Sequence, residues 1–453
     1  MTLPERARVF VIGSGAREHA LIWKLAQSDY HPQLFVAPGN PGMEDLATCI
    51  SLKASEVDAI VQFAEAERMD FVVVGPEAPL GAGLVDALTS AGIPAFGPNQ
   101  AAAQLETSKV FAKQLMRELH VPTASYEIFT NATEALAHVR EQGTPIVIKA
   151  DGLAAGKGVV VAQTLVEAEQ AINDMMVEQK FGAAGNEILI ESLLVGAEAS
   201  LMFFVDSQAV VPMIPAQDHK RIGDGDTGPN TGGMGAFAPI PGRDTAALQE
   251  QVLREIVEPI LAALKQSGIV YRGVLYVGLM LTAEGPQVIE FNARFGDPEA
   301  EVVLPLLDGD LLDILWAVAH DELDAKQVVW RPGSAVCVVL ATPGYPEGPI
   351  IGQEIEGLDT VVQQTEVQAT EVPQTDASEK AAHEHGPAFA DAQVVTFHAG
   401  TTRMGEKWMT AGGRVLTVAA AGASHDEARH LAYEAAQRIY FEGMQMRYDI
   451  GKR

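Results

Sequence analysis

The feature that most constrains this chain is a regular alternation of two patterns, up to about residue 100. Short apolar runs end in Gly or Pro, and helical patterns separate them. The apolar runs are RVFVIG, QLFVAPG, DFVVVGP and IPAFGP, and the helical patterns are EHALIWKLAQS, EVDAIVQFAEAER and LVDALTSAG. This alternation favours a doubly wound parallel sheet. We therefore predict an N-terminal α/β domain of this kind over residues 1–107, with ligands at the carboxyl ends of its strands.

Charge and composition exclude several classes of protein. The 453 residues include 31 Lys and Arg against 60 Asp and Glu, a formal net charge of −29. So acidic a chain is not expected to bind nucleic acid or an anionic membrane through its overall field. The two cysteines, Cys49 and Cys337, fit no ligand pattern and indicate a reducing cytoplasm. Because no apolar run approaches the ~18 residues of a membrane span and no apolar leader is seen, we expect a cytoplasmic protein.

The first glycine-rich turn, in VFVIGSGAREHAL, tests for a dinucleotide site. Gly13 and Gly15 are present, but Glu18 stands where the third glycine of that fingerprint belongs. The next strand ends in FVAPGN, without the acidic residue that would hold a ribose. A nicotinamide oxidoreductase is therefore disfavoured. What remains is a strand-to-helix turn with free N–H groups beside Arg17 and His19. For His19, a structural role, in which it caps or packs, is as consistent with the sequence as contact with a ligand.

A second glycine-rich stretch, DGLAAGKGV, is not a Walker loop. Three residues separate Gly152 from Gly156, and Gly158 follows Lys157 where a Ser or Thr is required. Lys149 instead ends the strand PIVIK, where an ammonium group can lie beside a polyphosphate. The glycines can then offer backbone N–H groups to phosphates. The alternative is a hairpin in which the glycines serve only the turn.

Two later segments complete a nucleotide site. EILIESLL offers a strand edge at Glu191 suited to an adenine hinge, and Glu198 follows as a partner for ribose hydroxyls. In VIEFNARFGDPE, Glu290 and Asn292 lie two residues apart on a strand and hence on one face, which Arg294 continues. A carboxylate and a carboxamide oxygen suit Mg²⁺ shared with phosphates. The alternative, an exposed strand face, is disfavoured by the apolar residues before them.

Together, the lysine strand, glycine-rich flap, acidic hinge and Glu-x-Asn strand resemble the ATP-grasp superfamily. The resemblance covers about residues 108–320 and implies a two-lobed α+β unit, in which ATP binds between the lobes. We expect an ATP-grasp domain over 108–325, with a flap lobe at about 123–192. A small C-terminal α+β domain is expected over 326–453, with a flexible insertion at about 363–392.

Longer motifs narrow the resemblance to one family. GSGAREHA, APGNPG, VGPEAPL, KADGLAAGKGV, QDHKRIGDGDTGPNTGGMGAFAP and EFNARFGDPEAE closely resemble the phosphoribosylamine–glycine ligase family, in its order and over nearly the whole chain. The resemblance implies that ATP, glycine and 5-phosphoribosylamine give glycinamide ribonucleotide, ADP and phosphate through glycyl phosphate. It implies Mg²⁺ or Mn²⁺ as cofactor and these small molecules as the only partners of a monomer. Loops 152–158 and 222–235 are the expected lids.

The residue patterns and the resemblance together define an expected site. Its catalytic residues are Arg294, Lys149, Asp218 and Asp297, and its metal ligands are Glu290 and Asn292. Its ATP contacts are Lys149, Gly152, Gly156, Lys157, Gly158, Glu191, Leu194 and Glu198. Its substrate contacts are Gly15, Arg17, Glu18, His19, Pro76, Glu77, Lys220, Arg221 and Gly233.

Three features depart from the family pattern. Ala16 replaces a glycine, so a positive φ there would carry a penalty. Glu301 stands where glutamine is common, and 363–392 looks like an insertion. Other ATP-grasp enzymes, such as a biotin-dependent carboxylase subunit, and a non-catalytic nucleotide-binding protein remain the alternatives.

Overall fold

The computed structural model describes residues 3–153, 158–358 and 392–452. In its N-terminal and central parts the strands are β1 (Arg8–Gly13), β2 (Gln33–Pro38), β3 (Thr48–Cys49), β4 (Phe71–Val74), β5 (Ala95–Phe96), β6 (Tyr126–Phe129), β7 (Ile146–Ala150), β8 (Val159–Ala162), β9 (Ile188–Ser192), β10 (Ala197–Val205), β11 (Val210–Pro212), β12 (Gln217–Asp218), β13 (Arg221–Gly223), β14 (Thr227–Asn230), β15 (Gly235–Ala238), β16 (Gly273–Thr282) and β17 (Gly285–Asn292). They are followed by β18 (Ser334–Ala341), β19 (Glu354–Ile355), β20 (Gln393–His398), β21 (Thr401–Met404), β22 (Lys407–Thr410) and β23 (Arg414–Gly422).

Helices connect and cover these strands. They are α1 (Ala16–Leu25), α2 (Val57–Ala66), α3 (Glu77–Gly81), α4 (Leu84–Ser90), α5 (Gln100–Thr107), α6 (Lys109–Glu118), α7 (Ala132–Gln142), α8 (Leu165–Ile172), α9 (Thr245–Val252), α10 (Glu258–Gln266), α11 (Ala300–Val303), α12 (Leu311–His320) and α13 (His425–Ala436). Short π-helical segments, Asn173–Val177 and Leu253–Val257, extend α8 and join α9 to α10. Short 3₁₀ turns lie at Pro41–Met43, Gly182–Gly185, Leu304–Leu306 and Ala325–Gln327.

The N-terminal sheet is parallel and doubly wound, as predicted, with the order β3-β2-β1-β4-β5. Apart from Arg8, Gln33 and Thr48 at the starts of their strands, its strands are apolar, because both faces of the sheet are buried. Phe10 and Ile12 pack with α2 and α4 on one face, whereas Val9 and Val11 pack on the other with α1 and α12. The sheet places the ends of β1 and β4 beside the central part of the chain.

Two antiparallel sheets form the central α+β region, also as predicted. The order β6-β9-β7-β8 packs on α7 and α8, and the order β11-β10-β16-β17 packs on α5, α6, α9 and α10. Each sheet therefore has one face covered by helices. The other face of the first sheet borders a cavity. The other face of the second sheet borders it only in part, because Met202, Phe204 and Val274 pack in the core of the N-terminal sheet.

The C-terminal sheet has the order β12-β15-β18-β23-β20 and takes strands from both sides of residue 325. Gly235 to Ala238 pair with residues of β18, which in turn pairs with β23. One face packs on α13 and the other joins the core of the N-terminal sheet. The expected boundary at 325/326 remains a prediction, since hydrogen-bonded strands cross it.

One local expectation is wrong, and the penalty considered at Ala16 does not arise. The glycine-dense segment within 222–235 contains a hairpin of β13 and β14 rather than a plain loop. Ala16 begins α1 in right-handed helical conformation, so the loss of a glycine there carries no penalty. The expected insertion at 363–392 lies almost wholly outside the described residues, and within those residues no helix has the length and apolar character needed to cross a bilayer.

Candidate active site

A cavity of about 470 Å³ lies between the two central sheets and reaches the N- and C-terminal parts of the chain. Most of the predicted site residues line it. They are Arg17, Pro76, Glu77, Lys149, Gly152, Gly158, Glu191, Leu194, Glu198, Asp218, Lys220, Glu290, Asn292, Arg294 and Asp297. Gly156 and Lys157 fall outside the described residues. Gly15, Glu18, His19, Arg221 and Gly233 do not line the cavity.

Glu18 closes the first glycine turn instead of facing a ligand. The backbone N–H groups of Ser14 and Gly15 donate to Glu18 Oε2 at 3.2 and 2.7 Å. Arg17 Nε donates to Glu18 Oε1 at 2.6 Å. A glutamate at the third helical position commonly caps the start of its own helix in this way. The expectation of free N–H groups is therefore wrong for Ser14 and Gly15.

His19 is a packed histidine in the described structure. Its Nδ1 accepts a hydrogen bond from the backbone N–H of His398 at 2.9 Å, and its ring lies 5.7 Å from that of Phe397. Burial lowers the pKa of His19 to about 3. These contacts are those of a packed side chain, and the substrate contact expected of His19 stays a prediction.

Two lysines share the carboxylate of Glu191. Lys149 Nζ and Lys113 Nζ lie 3.0 and 2.9 Å from Glu191 Oε2. Burial lowers the pKa of Lys113 to about 8. Lys109, on the same helix as Lys113, donates to the Gly152 carbonyl at 2.9 Å. Three ammonium groups thus gather where the lysine strand meets the glycine-rich segment, a concentration of positive charge suited to a polyphosphate.

Glu290 and Asn292 lie side by side on β17, as predicted from their spacing. Asn292 Nδ2 is 3.5 Å from Glu290 Oε1. Burial opposes ionisation of Glu290, but Lys220, Lys149 and other cations hold its pKa below the usual value. Among the described residues, Glu290 forms no ion pair within 4.0 Å. An ionised carboxylate without a close cation fits a hard divalent cation. The Asn292 amide turns its nitrogen toward Glu290 and its oxygen toward Arg294, so it would add an oxygen donor beside Glu290 only after a flip of the amide group.

Arg294 is held by two carboxylates. Its Nη2 lies 3.0 Å from Glu106 Oε1, and its Nε lies 3.4 Å from Glu77 Oε2. Burial opposes the charge, but Glu106 and Glu77 outweigh it and raise the pKa of Arg294. Glu106 also accepts the backbone N–H of Ala293 at 2.6 Å. These contacts hold a permanent positive charge beside Asn292, whose Oδ1 accepts from Arg294 at 3.2 Å.

The opposite wall carries further paired charges. Lys220 Nζ lies 3.0 Å from Asp218 Oδ2, and Arg414 Nη1 lies 2.9 Å from Asp297 Oδ1. Arg414 Nη1 also donates to the Gly232 carbonyl at 2.7 Å. Burial raises the pKa of Glu198 to about 7, although Lys220 acts in the opposite direction. The C-terminal sheet therefore supplies a cation to this wall.

Gly233 and Arg221 support the wall from outside the cavity. Gly233 has φ +111°, and a Cβ there would lie 2.4 Å from Pro298 Cδ, so only glycine allows this approach. The Arg221 guanidinium donates to the Gly228 carbonyl within its own hairpin, at 2.7 Å. Buried Arg447 anchors the same hairpin, since its Nη1 lies 2.7 Å from Asp226 Oδ1 and 3.1 Å from the Arg221 carbonyl. Arg221 is thus placed away from the substrate position predicted for it.

Sequence reasoning missed several residues of the cavity: Glu106, Lys109, Lys113, Tyr276, Glu299 and Arg414. Lys109 and Lys113 are four residues apart in a predicted helix, a spacing that places both on one face and gave a usable signal. The others had no local signal, because tertiary contacts between distant segments bring them to the site: Tyr276 and Arg414 lie on β16 and β23, Glu106 on α5 and Glu299 just before α11.

Two antiparallel sheets facing a cavity lined by lysines, arginines and carboxylates define an ATP-grasp protein. The phosphoribosylglycinamide synthetase ATP-grasp (A) domain matches residues 107–300, and the N and C domains of the same synthetase match 7–106 and 369–453. The chain belongs to the phosphoribosylglycinamide synthetase family.

Relatives agree with this assignment. The phosphoribosylamine–glycine ligase of Halalkalibacterium halodurans is 45% identical, over 98% of this chain and 96% of its own length. That of Vibrio cholerae is 44% identical, over 98% of each chain. A crystal structure of the Thermotoga maritima phosphoribosylamine–glycine ligase has a TM-score of 0.79 at 30% identity, covering 98% of this chain and 100% of that one. The biotin carboxylase domain of Hydrogenobacter thermophilus 2-oxoglutarate carboxylase, at 14% identity, covers 97% of this chain and 91% of that one and shares the fold, with a TM-score of 0.69.

Proposed function

We propose that this chain ligates glycine to 5-phosphoribosylamine at the expense of ATP, giving glycinamide ribonucleotide, ADP and phosphate in purine biosynthesis. The observation that carries the proposal is one cavity that collects Lys149, Glu290, Asn292 and Arg294. The activity named for relatives that are 44–45% identical over nearly the whole chain supports it.

ATP is proposed to bind between the two central sheets. Lys149 and the backbone at Gly152 and Gly158 hold its phosphates, and the edge from Glu191 to Leu194 holds the adenine. Glu198 meets the ribose. Gly156 and Lys157 are proposed to complete the flap over the phosphates. The lysine cluster around Glu191 supports this placement.

Glu290 and Asn292 are proposed to hold the divalent cation, Mg²⁺ or Mn²⁺, that accompanies ATP. When bound, such an ion neutralises charge on the transferring phosphoryl group. A glycine carboxylate is a poor electrophile, so its conversion to glycyl phosphate is the proposed first step. Arg294 binds an anionic oxygen of this group, and Lys149 adds positive charge where the phosphoryl group moves.

The ribosylamine is proposed to bind on the side of the cavity formed by Arg17, Pro76 and Glu77. Lys220 brings positive charge to an anionic group of the substrate. Asp218 and Asp297 orient the amine, which suits carboxylates already fixed by ion pairs with Lys220 and Arg414. Gly15, Glu18, His19, Arg221 and Gly233 are proposed to shape this wall from behind rather than to touch the substrate.

Water must be kept from glycyl phosphate, because hydrolysis would waste it. The segment 152–158 is proposed to close over the site. A monomer is proposed as the working unit, because one cavity already collects Lys149, Glu290, Asn292 and Arg294. A cytoplasmic location is proposed from the two unpaired cysteines, Cys49 and Cys337.

The test is ADP release that requires both glycine and 5-phosphoribosylamine. Glu290→Gln is expected to lower kcat at least about 100-fold, because the donor set loses its charge. Glu284→Gln, in the turn before the same strand, is the matched control and should retain full activity. ADP release with bicarbonate in place of the two substrates would overturn the proposal, and near-normal activity of Glu290→Gln would remove the metal site.

A further inference from the structure

Glu299 lines the cavity and differs from most of its carboxylates. Five others are paired with a cation within 4.0 Å: Glu77 and Glu106 with Arg294, Glu191 with two lysines, Asp218 with Lys220, and Asp297 with Arg414. Among the described cavity residues this leaves Glu198, Glu290 and Glu299. The first two have proposed roles with ribose and metal, so Glu299 is the carboxylate that the proposed function does not use.

Glu299 has an unusual hydrogen-bond environment. Ser200 Oγ lies 2.7 Å and Tyr276 Oη 2.8 Å from the same oxygen, Glu299 Oε1. The two hydroxyl oxygens are also 2.8 Å from each other. Each of these distances is that of an O–H···O hydrogen bond. All three residues are buried, and Glu299 is 2% exposed.

Ser200 Oγ, Tyr276 Oη and Glu299 Oε1 form a triangle of three oxygens, and the number of protons available to it shows what it can do. Three O–H···O contacts need three protons, and the two hydroxyls supply two. When Glu299 is ionised, both hydroxyls donate to Oε1 and the Ser200–Tyr276 contact has no proton. When Glu299 carries a proton, a closed ring of donors satisfies all three contacts. The triangle therefore accommodates a proton that arrives on Glu299, while its two hydroxyls also solvate the ionised form.

We propose that Glu299 accepts the proton released when the amine of 5-phosphoribosylamine attacks glycyl phosphate, an inference that rests on the proposed function. In this step the N–C bond forms and the bond from the acyl carbon to the phosphate oxygen breaks. Phosphate leaves with the electron pair of that bond, and one nitrogen proton moves to Glu299 Oε1, the oxygen that contacts Ser200 and Tyr276. Ser200 and Tyr276 are positioning residues. Asp218 and Asp297 are less suited to this role, because their ion pairs stabilise the ionised form.

The electrostatic surroundings of Glu299 are consistent with its role as a proton acceptor. Burial, and next Asp218, raise the pKa of Glu299, while Lys220 and the hydrogen bonds from Ser200 and Tyr276 lower it. The charged or titratable groups that face Glu299 are Asp218, Lys220, Tyr276, Arg294, Cys337 and Arg414. A carboxyl group with a raised pKa acts as a base only above that pKa. The acid limb of the pH–rate profile, over which kcat rises with pH, should therefore lie at a higher pH than the pKa of an ordinary glutamate would give.

The experiment separates the two halves of the reaction in Glu299→Gln. With ATP and glycine, hydroxylamine is supplied as a substitute nucleophile, and glycyl hydroxamate reports the acyl phosphate. This half reaction is expected to stay within about twofold. The kcat with 5-phosphoribosylamine is expected to fall at least about 100-fold and to lose its acid limb. Tyr276→Phe should move that limb to higher pH, because the ionised form loses a donor.

Glu301→Gln is the matched control, since Glu301 is buried on the same short helix and should behave like the unmodified enzyme in both assays. Equal loss of both reactions in Glu299→Gln, or an unchanged acid limb, would overturn the role of Glu299. An unmodified enzyme that releases no ADP in response to glycine would instead overturn the ligase activity, and with it this inference.

Discussion

Two buried histidines join α1 to the C-terminal sheet, and they predict a specific dependence of stability on pH. His19 and His398 are each 6% exposed. Burial lowers the pKa of His19 to about 3 and that of His398 to about 4. The His398 N–H donates to His19 Nδ1, and His398 Nδ1 lies 3.0 Å from Thr401 Oγ1. Both rings are therefore neutral in the folded protein at pH 5.

In the unfolded chain each histidine takes up a proton below its ordinary pKa of about 6.5. The unfolded state then binds more protons than the folded state, so the free energy of unfolding decreases as pH falls below 6.5. At pH 5 the difference of 1.5 pH units costs about 2 kcal/mol for each histidine, or about 4 kcal/mol for both. This magnitude depends on the unfolded pKa alone, because both folded values lie below 5.

The perturbation is His398→Asn, which keeps a polar group at the position of Nδ1 and removes the titration. Urea unfolding at pH 7.5 and pH 5 gives the change in the free energy of unfolding for each protein. The unmodified protein should lose about 2 kcal/mol more than the variant over this range. Groups that titrate in both proteins, such as Glu198, cancel in this comparison. His430→Asn, at an exposed position, should leave the pH dependence unchanged.

An identical pH dependence in His398→Asn and the unmodified protein would refute the reasoning, since it would mean that His398 is protonated in the folded state at pH 5. A loss of stability that is equal at both pH values would report lost packing against Trp408, whose ring lies 4.6 Å away, and not titration.

Two further predictions concern the wall of the cavity. Gly233→Ala should lower the free energy of unfolding in urea by about 3 kcal/mol, because of its positive φ and its contact with Pro298. Gly242→Ala has a positive φ but open space around it, so it should lower this free energy by only about 1–2 kcal/mol. Equal losses in the two variants would exclude the contact with Pro298 as the cause. Arg447→Met should release the β13–β14 hairpin from its anchor. We expect the KM for 5-phosphoribosylamine to rise more than kcat changes, and proteolysis within residues 221–230 to become faster. An unchanged rate of cleavage would contradict the anchoring role of Arg447.

The fold was largely predictable where local pattern and tertiary structure agree. Apolar runs that end in Gly or Pro gave β1, β2, β4 and β5 correctly, because strands buried on both faces have no polar positions. The strand Thr48–Cys49 was missed, since two residues carry no period. The hairpin Arg221–Asn230 was missed for another reason, because its glycine content resembles that of a loop and its anchor, Arg447, is distant in the chain.

The residues of the candidate site also divide into those that a local pattern predicts and those that only tertiary contacts reveal. Glu290 and Asn292 were predictable because strand spacing alone places both on one face. The capping role of Glu18 could not be read from the sequence, since a polar residue beside a glycine turn can bind a ligand or cap its own helix, and only the contacts distinguish these. Glu299 was not singled out. It lies just before α11, whereas its partners Ser200 and Tyr276 lie on β10 and β16, and a pattern along one segment does not reveal a contact between three.

The C-terminal sheet has a consequence for how this enzyme can evolve. Gly235–Ala238 is hydrogen-bonded between Gln217–Asp218 and Ser334–Ala341, although about a hundred residues separate it from the latter in the chain. The unit that must be inherited together is therefore discontinuous. Recombination between relatives that exchanges only the segment after 325 would bring together strand edges that have not co-varied. Exchange is better tolerated when 217–238 travels with that segment, so the natural junctions of this family need not coincide with the linear order of its domains.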